Sequence, residues 1–332
     1  MKFVIRASSP GRCGIIGNPT DGYGGTVISC SIPQRAYVEL RPADFLRISA
    51  SDQEAVLTAP GDFTLHGDFF DIPKAVLSFM NMTNCKVEIK TWSEIPRQAG
   101  LAGSTATMAA LFAALLAFKK QRMNSYMIAE HLHEIEQRHL NIQCGFQDHY
   151  MVVFGGLNYL DFRMKEDCRF IDVGCYATVE SLDNYVPDLP FVLGHSGVKH
   201  HSGNVHRPIR ERWLQGDPQV RNGYSDITRL ARSGKKALFA GDWDELGRLM
   251  NINHDIQREL GGSGEINEQL IKAARDAGAE GAKLAGAGHG GTIIALATKP
   301  KPVIKALKAA GAQDILFPKP APGLQVRKEE LL

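Results

Sequence analysis

No stretch of this 332-residue chain stays apolar for the ~20 residues that a membrane-spanning helix needs. The opening MKFVIRASSP is too short and too polar for a secretion signal, so a cytoplasmic location with no membrane partner is expected. An excess of one charge sign is lacking as well. The 38 Lys and Arg stand against 36 Asp and Glu, and a formal net charge of +2 gives no general reason to expect a nucleic-acid partner. Cysteine is sparse. Its six copies (Cys13, Cys30, Cys85, Cys144, Cys168 and Cys175) include no C-x-x-C pair, which argues against zinc or a disulfide frame and for buried or free thiols in a reducing compartment. Internal repeats and low-complexity tracts are absent. So is G-x-x-x-x-G-K-[ST], which disfavours a P-loop nucleotide site.

What the chain does have is glycine, 33 in all, gathered in PGRCGIIGNPTDGYGG (10–25), RQAGLAGSTA (97–106) and KLAGAGHGG (283–291). Glycine admits positive φ and bare backbone, so that consecutive N–H groups can converge on an anion. The second segment runs into the helix formers of 101–120, and a helix start adds free N–H groups and a favourable dipole for phosphate. Ser104 and Thr105 would then offer hydroxyls to the phosphate or to Mg²⁺. The same residues also suit an ordinary helix start with Ser104 as N-cap, and taken alone they leave both readings open. GAGHGG precedes the strand-like GTIIALAT where a dinucleotide fingerprint would follow a strand. It therefore reads as a tight helix-to-strand turn or a close backbone approach.

Periodicity predicts strands over 3–7, 26–32, 36–40 and 86–92, helices over 101–120 and 125–140, and a short helix running into a strand within 145–162. A second half opens at 191–197. It holds helices near 205–214, 218–258 and 265–278, and strands at 291–298 and 314–318 with a helix between them. The interleaving is irregular, so the expected fold is α+β in two lobes, 1–185 and 186–332, with a ligand cleft between them.

Phosphoryl transfer needs a metal-held nucleotide and a group that orients or deprotonates the attacking hydroxyl. Two acids qualify by position. Glu136 sits at the edge of the helical stripe Ile128, Leu132, Ile135, His139, and Asp148 lies in GFQDHY just before the apolar MVVFGG. An ordinary solvated acid is the usual fate of such residues. HLHEIEQRH is no H-E-x-x-H zinc motif, because position 137 is Gln; His131, His133 and His139 read as surface or packing residues.

Together the three glycine segments and the two acids resemble the GHMP kinase superfamily, in order and over most of the chain. PGRCGIIGNPTDGYGG is similar to its first motif, IPRQAGLAGSTAT to its nucleotide phosphate loop, and KLAGAGHGG to its third motif. The resemblance implies an N-terminal lobe like ribosomal protein S5 domain 2 and a ferredoxin-like C-terminal lobe. It also implies ATP and Mg²⁺ as cofactors. By position it assigns Asp148 and Arg12 to catalysis, and Gly100, Leu101, Ala102, Gly103, Ser104, Thr105, Gly286 and Gly288 to the nucleotide. Ser104 and Glu136 fall to the metal, and Asn18, Asp21, Lys199 and Gly290 to the acceptor. Thr105 stands where a second Ser is more usual, and keeps the hydroxyl.

Within the superfamily GNPTDGYGGTVIS, IPRQAGLAGSTA, GFQDHYMVVFGGLNYLDF, SGNVHRPIRERWLQGD and NHDIQREL resemble the glucuronokinases. The implied acceptor is then the anomeric hydroxyl of a sugar or sugar acid, glucuronate first. GNPTDGY in place of GEHTDY disfavours a conventional galactokinase. A heptose, another hexose or mevalonate as acceptor, or a non-catalytic sensor, are the other readings the resemblance allows. The basic stretch 196–213 lacks interleaved aromatics for nucleic acid; among its residues, Lys199, His200, His201 or Arg207 would suit a substrate carboxylate.

Overall fold

The computed structural model describes residues 3–167, 175–186, 188–198, 202–286, 288 and 291–330. Two sheets organise them. The larger contains β1 (Phe3–Ile16), β2 (Thr26–Pro42), β3 (Leu46–Ala50), β4 (Gln53–Leu57), β5 (Val87–Ser93), β6 (Leu157–Asp161), β7 (Thr178–Ser181) and β12 (Gln325–Glu330). Their order is β12-β1-β2-β5-β3-β4, with β6 on the early half of β2 and β7 beyond it. The smaller sheet contains β8 (Phe191–His195), β9 (Gly281–Leu284), β10 (Thr292–Leu296) and β11 (Asp314–Leu316), antiparallel in the order β11-β8-β10-β9. That order, with the first strand between the fourth and the third, is the ferredoxin-like one. The class is α+β with two lobes. The final strand crosses back, pairing Phe3 with Glu330 through Ser8 with Gln325, so residues 325–330 complete the first sheet and not the second.

The helices are α1 (Asp71–Phe79), α2 (Gly103–Phe118), α3 (Ser125–Glu134), α4 (Gln147–Phe154), α5 (Arg163–Asp167), α6 (Ser202–Leu214), α7 (Pro218–Ala240), α8 (Trp243–Glu259), α9 (Glu265–Asp276) and α10 (Pro300–Ala309). Helix α2 is built of small and apolar residues on every side, and all its positions from Thr105 to Leu116 except Thr107 are buried. A helix apolar all round belongs inside a core. It packs on β1 and β2, which fixes where its N-terminus opens.

Four expectations are corrected. The first strand does not stop at residue 7: β1 runs on through the first glycine segment to Ile16, bending at register shifts between Pro10 and Arg12 and between Gly14 and Ile16, as β-bulges allow. The span 218–258 is two helices, broken at Gly241 (φ +63°) and restarted by Asp242, whose side chain accepts from the Glu245 N–H. Lys283 and Leu284 end a strand, β9, so the third glycine segment joins two antiparallel strands and is not a helix-to-strand turn; no helix follows it, and the dinucleotide pattern still fails. Cys13, Cys30, Cys85 and Cys144 are free thiols, whereas Cys175 is disulfide-bonded, against the expectation for the whole set. Among the described residues no helix is long and apolar enough to cross a membrane.

Candidate active site

Arg12 stands at the first bend of β1, 6% exposed, and all three nitrogens of its guanidinium are engaged. Nη1 donates to the Gly100 carbonyl at 2.6 Å, while Nε and Nη2 both donate to Asp148 Oδ1, at 2.7 and 2.5 Å. Its backbone N–H donates to the Leu101 carbonyl at 3.1 Å. Asp148 lies in the first turn of α4 with its side chain 31% exposed, and its Oδ2 accepts from no described residue. A buried guanidinium therefore holds a carboxylate that looks outward, through charge-assisted bonds that are the stronger kind.

The loop that Arg12 grips is tightly coiled: Gln98, Gly100 and Ala102 have φ of +53°, +70° and +61°. Ala102, not Ser104, occupies the N-cap of α2, and it offers no side-chain cap; no acid lies in the first turn. The plain-cap reading of Ser104 therefore does not apply. Its side chain is exposed at a helix start whose leading N–H groups are uncapped, which is the condition an anion satisfies.

The third glycine segment backs this loop. A Cβ on Gly286 would lie 2.5 Å from the Gly100 carbonyl oxygen, so only glycine lets the two backbones approach. Thr292 Oγ1 donates to the Ala99 carbonyl at 2.9 Å, and the Gly14 N–H donates to the Ala285 carbonyl at 2.9 Å. Gly288 has φ +95°, and a Cβ there would meet the Gly262 carbonyl oxygen. All three glycine segments thus converge on residues 99–101. Lys199 and Gly290 lie outside the described residues, as do His200 and His201. Arg207 is exposed and donates to Glu211 at 3.1 Å on its own helix.

Glu136 is buried, not solvated, because a π-helical turn (Ile135–His139) continues α3 and swings it inward. Its Oε2 lies 2.7 Å from His149 Nε2 and accepts from Thr105 Oγ1 at 3.4 Å, placing the carboxylate beside the start of α2. A hard cation with oxygen ligands fits a carboxylate next to an exposed serine hydroxyl. Cys144 Sγ lies in the same cluster, where burial pushes its thiol well up. The three histidines of HLHEIEQRH pack: His133 stacks on Phe146 at 3.9 Å, and His131 and His139 lie against the Phe79 ring.

The turn after β1 is held internally. Asp21 Oδ2 accepts the Gln147 N–H at 2.8 Å, tying that turn to the start of α4 and so to Asp148. Asn18 Oδ1 accepts from Lys283 Nζ at 2.7 Å, and Asn253 Oδ1 accepts the Gly17 N–H at 2.9 Å. Lys283 and Asn253 were not singled out by sequence reasoning. Lys283 had one available signal, a lysine inside the otherwise apolar strand GAKLA. It is 1% exposed, and burial pulls its ammonium down to about 7, with Cys13 opposing and Arg12 adding to the effect. Asn253 begins NHDIQREL, a segment noted without a role.

Residues 71–156 match the GHMP kinases N terminal domain, 235–313 match GHMP kinases C terminal, and 3–42 match the galactokinase galactose-binding signature. Probable glucuronokinase 2 of Arabidopsis thaliana is 29% identical over 328 residues, covering 92% of this chain and 87% of the relative. The mevalonate kinase of Pyrococcus abyssi is 28% identical over 353 residues, covering 99% of each. Lactococcus lactis galactokinase complexed with galactose shares the fold, with a TM-score of 0.77 at 17% identity over 97% of this chain and 95% of that one.

Proposed function

The chain belongs to the GHMP kinases, ATP-dependent enzymes that transfer phosphate to an alcohol group, and we propose that its acceptor is the anomeric hydroxyl of a sugar acid, glucuronate first. The observation that carries the catalytic part is the Arg12–Asp148 pair. Arg12 occupies Oδ1 alone, so Oδ2 is the oxygen left to orient or accept the proton of an acceptor hydroxyl. The anomeric hydroxyl is more acidic than an ordinary alcohol, so modest help suffices there. Through Nη1 on the Gly100 carbonyl the same guanidinium sets the distance between that carboxylate and the loop of 100–105.

In this reading the uncapped start of α2 holds the nucleotide phosphates, and Gly286 and Gly288 support the loop from behind. Ser104 and Glu136 hold Mg²⁺. The ion, when bound, supplies positive charge that neutralises phosphate oxygens. His149 keeps the Glu136 carboxylate turned toward the helix start. Asn18 and Asp21 shape the acceptor side of the cleft. Positioning and charge neutralisation, more than covalent chemistry, supply the rate.

The acceptor rests on the likeness to glucuronokinases and on GNPTDGY in the first motif. An acceptor panel tests it: ADP release with glucuronate, galacturonate, glucose, galactose, a heptose and mevalonate, with phosphorus NMR locating the new phosphate. The expected product is a uronate 1-phosphate. Turnover of mevalonate with none of the uronates would replace this acceptor with the one named for the archaeal relatives.

A further inference from the structure

A cavity of about 390 Å³ is lined in part by Gly22, Tyr23 and Gly24 and by Cys144 and Phe146, next in sequence to Asp21 and to Gln147, whose N–H donates to Asp21 just before Asp148. Tyr23, Phe146 and Trp213 give it aromatic walls, with the Tyr23 and Trp213 rings edge to face at 4.9 Å. Lys165 and Arg210 give it two cations, and no acidic residue lines it. That absence of acids is of the described residues, and the two cations are not equivalent. Lys165 is neutralised by Glu130, to which its ammonium donates, and it also lies over the Phe146 ring. Arg210, half-buried on α6, makes no hydrogen bond or ion pair with any described residue. Its charge reaches Tyr23, His133 and Cys144 on the opposite walls. His133 adds no compensating or competing charge, since burial holds it neutral. One turn earlier on the same helix, Arg207 faces solvent and is spent on Glu211.

A half-buried guanidinium with no anionic partner among the described residues is stabilised by an anion that enters with the ligand. We infer that Arg210 receives the carboxylate of the acceptor, so that this cavity selects an anionic sugar by the charge at the end remote from the phosphorylated hydroxyl. One uncompensated positive charge matches a monoanionic carboxylate better than a dianionic phosphate. Flat aromatic walls suit the C–H faces of a pyranose ring, as apolar linings with a few fixed polar groups suit small ligands generally. The guanidinium fork meets both carboxylate oxygens at once, which a lysine cannot do.

This rests on the kinase reading above, and the test separates the two. Steady-state kinetics at saturating MgATP would compare glucuronate, glucose and glucose 6-phosphate on the wild type, Arg210→Met and Arg210→Lys, with thermal melts to confirm that each variant folds. The wild type is expected to prefer glucuronate. Arg210→Met should raise the glucuronate KM by about 10- to 100-fold, the span of a hydrogen-bonded charged contact, with kcat little changed and the glucose KM unmoved; Arg210→Lys should fall between. Equal glucuronate KM in wild type and Arg210→Met overturns the inference, as does an equal rise for glucose. A preference for glucose 6-phosphate that depends on Arg210 overturns the carboxylate assignment. Turnover of uncharged acceptors alone sinks the inference and leaves the kinase reading standing. If nothing is phosphorylated, calorimetric titration of glucuronate decides: heat present in the wild type and lost in Arg210→Met supports the site, and no heat in the wild type overturns it.

Discussion

The Arg12 guanidinium meets Asp148 through two nitrogens but one oxygen, with Nε 2.7 Å and Nη2 2.5 Å from Oδ1, and spends its third nitrogen on the Gly100 carbonyl at 2.6 Å. An arginine facing a carboxylate commonly forks across both oxygens. Here the single-oxygen grip leaves Oδ2 without a bond to any described residue, and the third bond ties the acid to the loop proposed to hold phosphate. One buried side chain thereby sets two parts of the reaction against each other.

Replacing Asp148 by Asn keeps the shape and removes the carboxylate. The expected outcome is a fall in kcat of about 10²- to 10⁴-fold, the usual worth of a positioned acid or base. ATP affinity by calorimetry should stay within about threefold, because the group acts in the transition state. Wild-type turnover in Asp148→Asn would remove the residue from the mechanism.

Glu136→Gln tests the metal side. The carboxylate loses its charge but retains an oxygen near Thr105 and His149. The Mg²⁺ concentration for half-maximal activity should rise about 10-fold or more, as expected when one charged ligand is lost. Nucleotide binding without Mg²⁺ should be unaffected, and an unchanged Mg²⁺ requirement would place the ion elsewhere.

Gly286→Ala puts a Cβ 2.5 Å from the Gly100 carbonyl oxygen, where one backbone must yield. Overpacking of this kind costs about 1–3 kcal/mol, readable as a lowered denaturation midpoint. Since the displaced segment is the loop proposed to hold the nucleotide phosphates, KM for ATP should rise more than KM for the acceptor. The opposite order would argue that Gly286 serves the acceptor side.

Lys283 makes stability depend on pH in a determinable direction. Its folded value of about 7 lies below the ordinary 10.5. Between these the unfolded chain binds a proton that the folded chain lacks, so stability contributed by this site rises with pH from about 7 to about 10 and is lowest below 7. Lys283→Met removes that dependence. The difference in unfolding free energy between wild type and Lys283→Met, from denaturant melts at intervals from pH 6.5 to 9.5, should move in favour of the wild type as pH increases. A flat difference would mean that Lys283 keeps its ordinary ionisation.

Most elements were legible because their signals are local. The helix formers after Gly103, the alternation in KVEIKTW and the break between Phe154 and Leu157 each depend on neighbours in sequence. The hairpin β3–β4, helix α1, β7 and β12 carry weaker patterns, and β12 exists only because β1 offers it an edge. The same limit explains the single predicted helix over 218–258: Gly241 is one residue, and its positive φ is a choice made by packing.

From the sequence alone came the glycine segments, their order, the hydroxyls at 104 and 105, and the acids at 136 and 148, since residue type and spacing are properties of the chain. Whether Ser104 was a helix cap or an exposed hydroxyl, and whether Glu136 was solvated or buried, was decided by the fold. Both depend on which groups from distant positions approach: Ala102 takes the cap position in a coiled loop held by Arg12 and Thr292, and His149 meets Glu136 from another helix. The cation facing the cavity was likewise a tertiary matter. Arg207 and Arg210 look alike in RPIRERW, and only the packing of α6 turns one to solvent and the other inward.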